Sequence, residues 1–89
     1  MVSKTKLFQL AEMEPVAKEA TYDALKGCMP PSDDDKKALV LGKILTDEAG
    51  IFELYVPAGK PQDARVISRA AVSRVTGKVV SVQVFLPKL

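Results

Sequence analysis

The closing stretch of the chain, AVSRVTGKVVSVQVF over residues 71–85, restricts the fold more than any other segment. Its second half alternates apolar and polar residues, which is the pattern of a β-strand with one buried face. Gly77 interrupts the pattern, and a glycine at this point can adopt the left-handed conformation that a tight hairpin needs. The stretch therefore predicts an antiparallel hairpin, with strands at 65–74 and 79–86 and a three-residue loop at 75–77.

The valines of this hairpin predict its register. A three-residue loop sets Val72 opposite Val80, and it sets Ala70 opposite Val82. A slip by one residue would scatter the apolar side chains over both faces of the sheet. We therefore expect the even-numbered residues in the core. The outward face would then carry Arg65, Ile67, Arg69, Ala71 and Ser73 beside Ser81, Gln83 and Phe85.

Two further strands are predicted before this hairpin, at 38–46 and 51–58, with a four-residue connection at 47–50. In the second of them the apolar side chains of Phe52, Leu54 and Val56 point one way. Glu53 and Tyr55 point the other way. Together the four strands predict an antiparallel meander with one buried face.

A helix is predicted at 15–27, within the stretch EPVAKEATYDALKGCMPP. Pro15 suits the first helical position, and Gly27 followed by two prolines ends the helix. Its apolar stripe is mostly alanine, which permits close approach to a sheet. The preceding segment 4–12 fits either a helical face or a strand, and we favour a helix. The expected fold class is α+β, a helix packed on a four-stranded antiparallel sheet.

The stretch PPSDDDKK at 30–37 combines two prolines with three consecutive aspartates, and it predicts an exposed loop. A Ca²⁺ loop needs oxygen ligands at alternate positions, a glycine for the turn and a distal glutamate. None of that spacing is present here. We therefore expect no metal and no cofactor. The segment 59–63 predicts a second polar loop.

This layout resembles cystatin-like and PepSY-like domains, and the small nuclear-transport-factor-two-like immunity domains of bacteria. The resemblance covers most of residues 15–86 and is carried by the helix AKEATYDALKG, the strand GIFELYV and the closing hairpin AVSRVTGKVVSVQVF. The chain departs from the pattern before the Thr-Gly turn, where Arg74 and Val75 replace the expected aspartate. The resemblance implies a protein that inhibits or neutralises a partner by surface contact, and it transfers no site residue to this chain.

Length and composition predict one globular domain over residues 1–89, with 47% hydrophobic and 27% charged residues. A chain this short, without tryptophan, builds a thin core, and a homodimer would extend it. The single cysteine, Cys28, excludes an internal disulfide. No segment has the length of a signal peptide or of a membrane span, so we expect a cytoplasmic protein.

Catalysis is not expected from these residues. The chain has no histidine, which is the commonest general base near neutral pH. Cys28 follows the predicted helix at its C-terminal end, where the helix dipole disfavours a thiolate, and we expect it to be a buried packing residue. No glycine-rich phosphate loop is present.

The charge distribution suggests a binding surface. Residues 1–54 hold seven lysines against ten acidic residues, net −3, whereas residues 55–89 hold six basic residues against Asp63, net +5. We expect non-catalytic binding of another protein, since arginine, tyrosine and phenylalanine are enriched at the centres of protein interfaces. The candidate contact residues are Arg65, Ile67, Arg69, Arg74, Phe85 and Tyr55.

Two alternatives remain open at the level of sequence. The same basic face could track a nucleic-acid backbone and stack bases on its aromatic side chains. Alternatively, Ile67 and Phe85 are covered by the N-terminal segment 1–14, and the basic residues are a solvated surface with acidic neighbours from the other half of the chain.

Overall fold

The computed structural model describes residues 6–89 and contains one long helix packed on one face of a four-stranded antiparallel sheet, which confirms the predicted α+β fold class. The strands follow one another across the sheet in chain order. The elements are α1 (Leu10–Leu25), α2 (Asp33–Ala38), β1 (Val40–Leu45), β2 (Ala49–Val56), a 3₁₀ turn (Pro61–Asp63), β3 (Arg65–Ser73) and β4 (Val79–Val84). The first five residues, which include the start of the ambiguous segment 4–12, lie outside this description.

Helix α1 begins five residues earlier than predicted, so the expected start at residue 15 is wrong. The backbone N–H of Gln9 donates to Oε1 of Glu12 at 3.1 Å, and this contact anchors the first turn. Pro15 therefore falls in the second turn. Its missing N–H leaves the carbonyl of Ala11 without a helical partner, and Ala11 is exposed, so that water can satisfy it. The preference for a helix in the segment 4–12 is confirmed for residues 10–12 and is wrong for residues 6–9, which precede the helix.

The core forms where α1 meets the middle of the sheet. Met13 and Ala17 of the helix are fully buried against Phe52, Ala70 and Val72. Phe52 and Val72 were expected there. Met13 was not, because the prediction placed it outside the helix.

Two β-bulges interrupt the regular alternation of β3 and β4. Leu54 pairs with Ser68, but the next residue of β2 pairs with Val66, so that Ile67 has no partner on β2. As a result Ile67 and Ser68, two successive residues, are both buried. The prediction that Ile67 faces outward is wrong: the extra residue turns its side chain into the protein, where it is 3% exposed.

The second bulge lies in the closing hairpin. Ala70 pairs with Val82, as predicted, but Val72 pairs with Val79 rather than with Val80. Val80 is the extra residue and is 68% exposed, so its expected place in the core is wrong. Gly77 does adopt the left-handed conformation, with φ +72°. The ring of Phe8 lies so close to it that a Cβ would come within 2.8 Å of the Phe8 Cζ.

The predicted loop at 30–37 contains a short helix, α2, and that prediction is wrong for residues 33–37. Ser32 begins the helix, because its Oγ accepts a hydrogen bond from the backbone N–H of Asp35 at 3.2 Å. The aspartates occupy the first turn and Lys36 and Lys37 the last turn. Both placements are favourable in the field of the helix dipole.

The bulge at Val80 leads to a stability prediction with a matched control. Val82→Asp should lower the free energy of unfolding by more than about 2 kcal/mol, because it buries an unpaired charge against the core. Val80→Asp, on the same strand, should cost less than about 1 kcal/mol, because this side chain is already in solvent. Chemical denaturation of both variants measures the difference. Equal losses would contradict the observed register.

Candidate functional site: the outer face of the sheet

The face of the sheet opposite α1, here called the outer face, is the candidate site. Gly42, Glu53, Arg69 and Gln83 form one row across its four strands. The next row along the strands consists of Ile44, Ile51, Ala71 and Ser81. Helix α1 packs on the other face and leaves these side chains uncovered.

An ion pair occupies the centre of the outer face. Arg69 on β3 contacts the Oε2 atom of Glu53 on β2 through Nε at 2.7 Å and through Nη2 at 2.6 Å. The two residues are directly opposite each other in the ladder, where cross-strand pairs of opposite charge are favourable. The pair neutralises both charges and fixes the position of the guanidinium relative to Glu53.

The other two arginines named from the sequence lie elsewhere and have different partners. Arg65, at the start of β3, forms an ion pair with Asp35 of α2. Arg74 follows β3, and its guanidinium donates to the carbonyl oxygens of Phe8 and Thr46 at 3.0 Å each. Its backbone also exchanges hydrogen bonds with Phe8 and Glu48. Arg74 therefore fastens the N-terminal segment and the β1–β2 connection to the sheet.

Apolar side chains surround the ion pair. Tyr55 lies on the outer face beside Gly42, and a Cβ at Gly42 would come within 3.2 Å of the tyrosine ring. Phe85 follows β4 and is 53% exposed, as predicted. Its backbone N–H donates to the carbonyl of Ile67 at 2.9 Å. The outer face thus combines a central ion pair with exposed aromatic surface.

Sequence reasoning missed two residues of this face, Val40 and Ile44 on β1. Both are exposed large apolar side chains, and Ile44 pairs with Ile51. The stretch ALVLGKILT has apolar residues on both faces, so alternation alone could not separate outward from inward positions.

The described part of the N-terminal segment, residues 6–14, does not cover Phe85. The described part of that segment runs past the other end of β3, where Phe8 packs over Gly77 and bonds to Arg74. Phe85 and the start of β3 lie at the opposite end of the strand, as the pairing of Ser68 with Val84 shows. Within residues 6–89, the expected alternative that this segment shields Phe85 is wrong.

A second cluster of charges joins α1 to the inner face of β1. Glu14 bonds to Lys18 on the same helix at 3.0 Å and to Lys43 on the edge strand. The hydrogen bond from Lys43, followed by that from Lys18, lowers the pKa of the Glu14 carboxyl below its ordinary value of 4.5. This cluster holds the edge strand to the helix.

Within the described part of the chain, no group of three or more cysteine, aspartate or glutamate side chains is arranged to hold a metal ion. None of the helices in residues 6–89 has the length and apolar character needed to cross a membrane. Comparison with protein-family models, with curated proteins and with solved structures finds no match to this chain. The fold defines a small α+β domain, and the resemblance to cystatin-like and PepSY-like domains stays a prediction.

The Glu14 cluster leads to a prediction about pH. A lowered pKa in the folded state means that the ionised carboxylate stabilises the fold above the unfolded pKa, and that this stabilisation is lost as the pH falls through the folded value. Glu14→Gln should therefore destabilise the protein at pH 7, and the difference from the parent should shrink below about pH 4.5. The denaturation midpoints of both proteins, recorded between pH 7 and pH 3, measure this difference in stability.

The matched control is Glu19→Gln, which removes an exposed carboxylate from the same helix. We expect it to show a smaller difference from the parent at pH 7. If the Glu14→Gln difference stayed constant down to pH 3, the ion pairs with Lys43 and Lys18 would not stabilise the fold.

Proposed function

We propose that the protein is a non-catalytic binding module that contacts another protein through the outer face of its sheet, in the manner of a small inhibitor or immunity-type protein. The chemistry of the face supports this. Arg69, with Glu53 opposite it and Tyr55 and Phe85 on the same face, combines residue types that are enriched at protein interfaces. Exposed Val40 and Ile44 extend its apolar area towards the edge strand.

The observation that favours protein over nucleic acid is that the arginines are already engaged. Arg69 is paired with Glu53, Arg65 with Asp35, and Arg74 with two backbone carbonyls. Affinity for nucleic acid comes mainly from unpaired cations that neutralise phosphates and release counterions. The charges at the centre of the outer face instead cancel, because Arg69 is paired with Glu53. The net charge of +5 on residues 55–89 is partly offset by the net charge of −3 on residues 1–54.

A binding scan separates these two functions. For a partner captured from the native lysate, Arg69→Ala and Phe85→Ala should each weaken binding, and one of them should cost about 2 kcal/mol or more. Arg65→Ala is the matched control, and it should be nearly neutral, because Arg65 pairs with α2 at the end of β3. Isothermal titration with the purified partner measures these effects.

Nucleic-acid binding would give a different pattern. Capture would then be abolished by nuclease, and each arginine variant would reduce the slope of log affinity against log salt by about one. A silent Phe85→Ala together with uniform arginine effects would contradict the proposed protein interface.

We further propose that the protein is a homodimer joined along β1. The two edges of the sheet differ. The bulge at Val80 disturbs the ladder of β4 and so protects that edge from pairing. Strand β1 pairs regularly along its length and exposes Val40, Ile44 and Leu45. A regular apolar edge favours pairing with a second copy, which would leave the outer face open to a partner.

Sedimentation equilibrium tests this assembly. The parent should have the mass of two chains at micromolar concentration. Ile44→Lys should shift it to the mass of one chain, because charge on an edge strand opposes strand pairing. Val75→Lys adds the same charge at an exposed site in the β3–β4 turn and should leave the dimer intact. A parent with the mass of one chain across this range would contradict the proposal.

A further inference from the structure

A pocket of about 110 Å³ opens between α1 and the inner face of the sheet, on the side away from the proposed interface. It exists because α1 lies mainly over β3 and β4 and leaves the β1–β2 side of the inner face partly uncovered. The small side chain of Ala17 adds room beneath the helix. The walls of the pocket are formed mainly by Thr21, Leu25, Leu41, Phe52, Leu54 and Ser68.

Ser68 is the exceptional residue of this pocket. Its side chain is 1% exposed, which puts it at the deep end, and its Oγ has no hydrogen-bond partner among the described residues. A buried hydroxyl without a partner typically costs a protein about 1–3 kcal/mol. Ser68 lies on the inner face opposite Leu54, next to the bulge at Ile67, and its hydroxyl points into the protein. A hydroxyl that both donates and accepts is thus available to a ligand.

The remaining surroundings of Ser68 are apolar. Leu41, Phe52 and Leu54 come from the sheet, and Leu25 closes the pocket from the helix. Lys18 and Tyr22 stand at the mouth, where Tyr22 is 67% exposed. A ligand would therefore place a polar group inward against Ser68 and an apolar body along the leucines.

We propose that this pocket binds a small molecule with a compact apolar body and one hydroxyl group, such as a phenol, inserted with the hydroxyl against Ser68. The pocket is smaller than the apolar cavity of about 150 Å³ that encloses benzene, so that a phenol ring would fill it and extend into its open mouth. The open mouth beside Tyr22 allows a larger molecule of the same class to leave its remainder in solvent. The site lies on the face of the sheet opposite the proposed protein interface and does not depend on it.

The experiment compares phenol with toluene, which match in shape and differ in the hydroxyl group. Each is titrated into the ¹⁵N-labelled full-length protein, and amide shifts are followed by NMR. Phenol should bind more tightly than toluene, with shifts concentrated at residues 17–25, 41–54 and 68. Ser68→Ala should weaken phenol about tenfold, the effect of losing one hydrogen bond to a buried group, and should change toluene less than about twofold.

Thr21→Val is the matched control, because it removes a hydroxyl from the same pocket and leaves Ser68 in place. This variant should keep the preference for phenol. The spectra of the unliganded variants report whether each remains folded, and Ser68→Ala removes an unpaired buried group, so that it should melt no lower than the parent.

Three results would overturn the proposal. Equal binding of phenol and toluene to the parent would mean a purely apolar cavity. A loss of phenol binding in Thr21→Val rather than in Ser68→Ala would place the polar contact at the mouth. The absence of localised shifts with either compound at millimolar concentration would mean that the space is filled by water only.

Discussion

The contact between α1 and the middle of the sheet determines the rest of the structure. It is made by small residues on both sides: Ala17 on the helix, and Gly50 and Ala70 on the strands. Met13 lies directly over Gly50, where a Cβ would come within 2.6 Å of its Cε. The helix packs mainly against β3 and β4, so that it lies off-centre on the sheet. The same constraint leaves the edge strand β1 half covered on its inner side and the whole outer face open.

One helix covers only one face of a four-stranded sheet. Long side chains on the strands cover part of the surface that the helix leaves open. Lys43 on the uncovered side is a long charged side chain that reaches Glu14 of the helix, so its methylene groups shield the inner face of β1. The outer face is protected partly by the Arg69–Glu53 pair and partly by Tyr55, which lies on Gly42. Surface ion pairs of this kind add little stability. Their effect is to orient the side chains that a partner would meet.

The sequence predicted those features that depend on local periodicity and turn chemistry. The alternation in β2, the left-handed Gly77 and the pairing of Ala70 with Val82 all follow from nearest neighbours along the strands. The start of α1 was missed, because Pro15 is a stronger local signal than the Gln9–Glu12 contact that begins the helix. A proline in the second turn is tolerated where the orphaned carbonyl faces water.

The candidate site was less predictable than the fold, since a single bulge reverses the orientation of every residue beyond it. The extra residue at Ile67 buries that side chain and turns Val66 outward, and no composition signal marks its position in RVISRAAVS. The ion-pair partners could not be predicted from the sequence either, because Asp35 and Arg65 are 30 residues apart in the chain. Alternation along the strands predicted outward positions before and after the bulge, and among these Arg69, Ser81, Gln83 and Phe85 are exposed.

The two bulges shape one edge and the outer face of the sheet. The bulge at Val80 disturbs the ladder along β4, so that β1 is left as the regular edge. Alternation from Ala70 alone points Ser68 inward, where its hydroxyl lies in an otherwise apolar pocket. Without the insertion at Ile67, Val66 would be the next inward residue and Ile67 would join the outer face. The insertion therefore buries Ile67 and turns Val66 outward in its place, so that the outer face carries the smaller apolar side chain and keeps the Arg69–Glu53 pair at its centre.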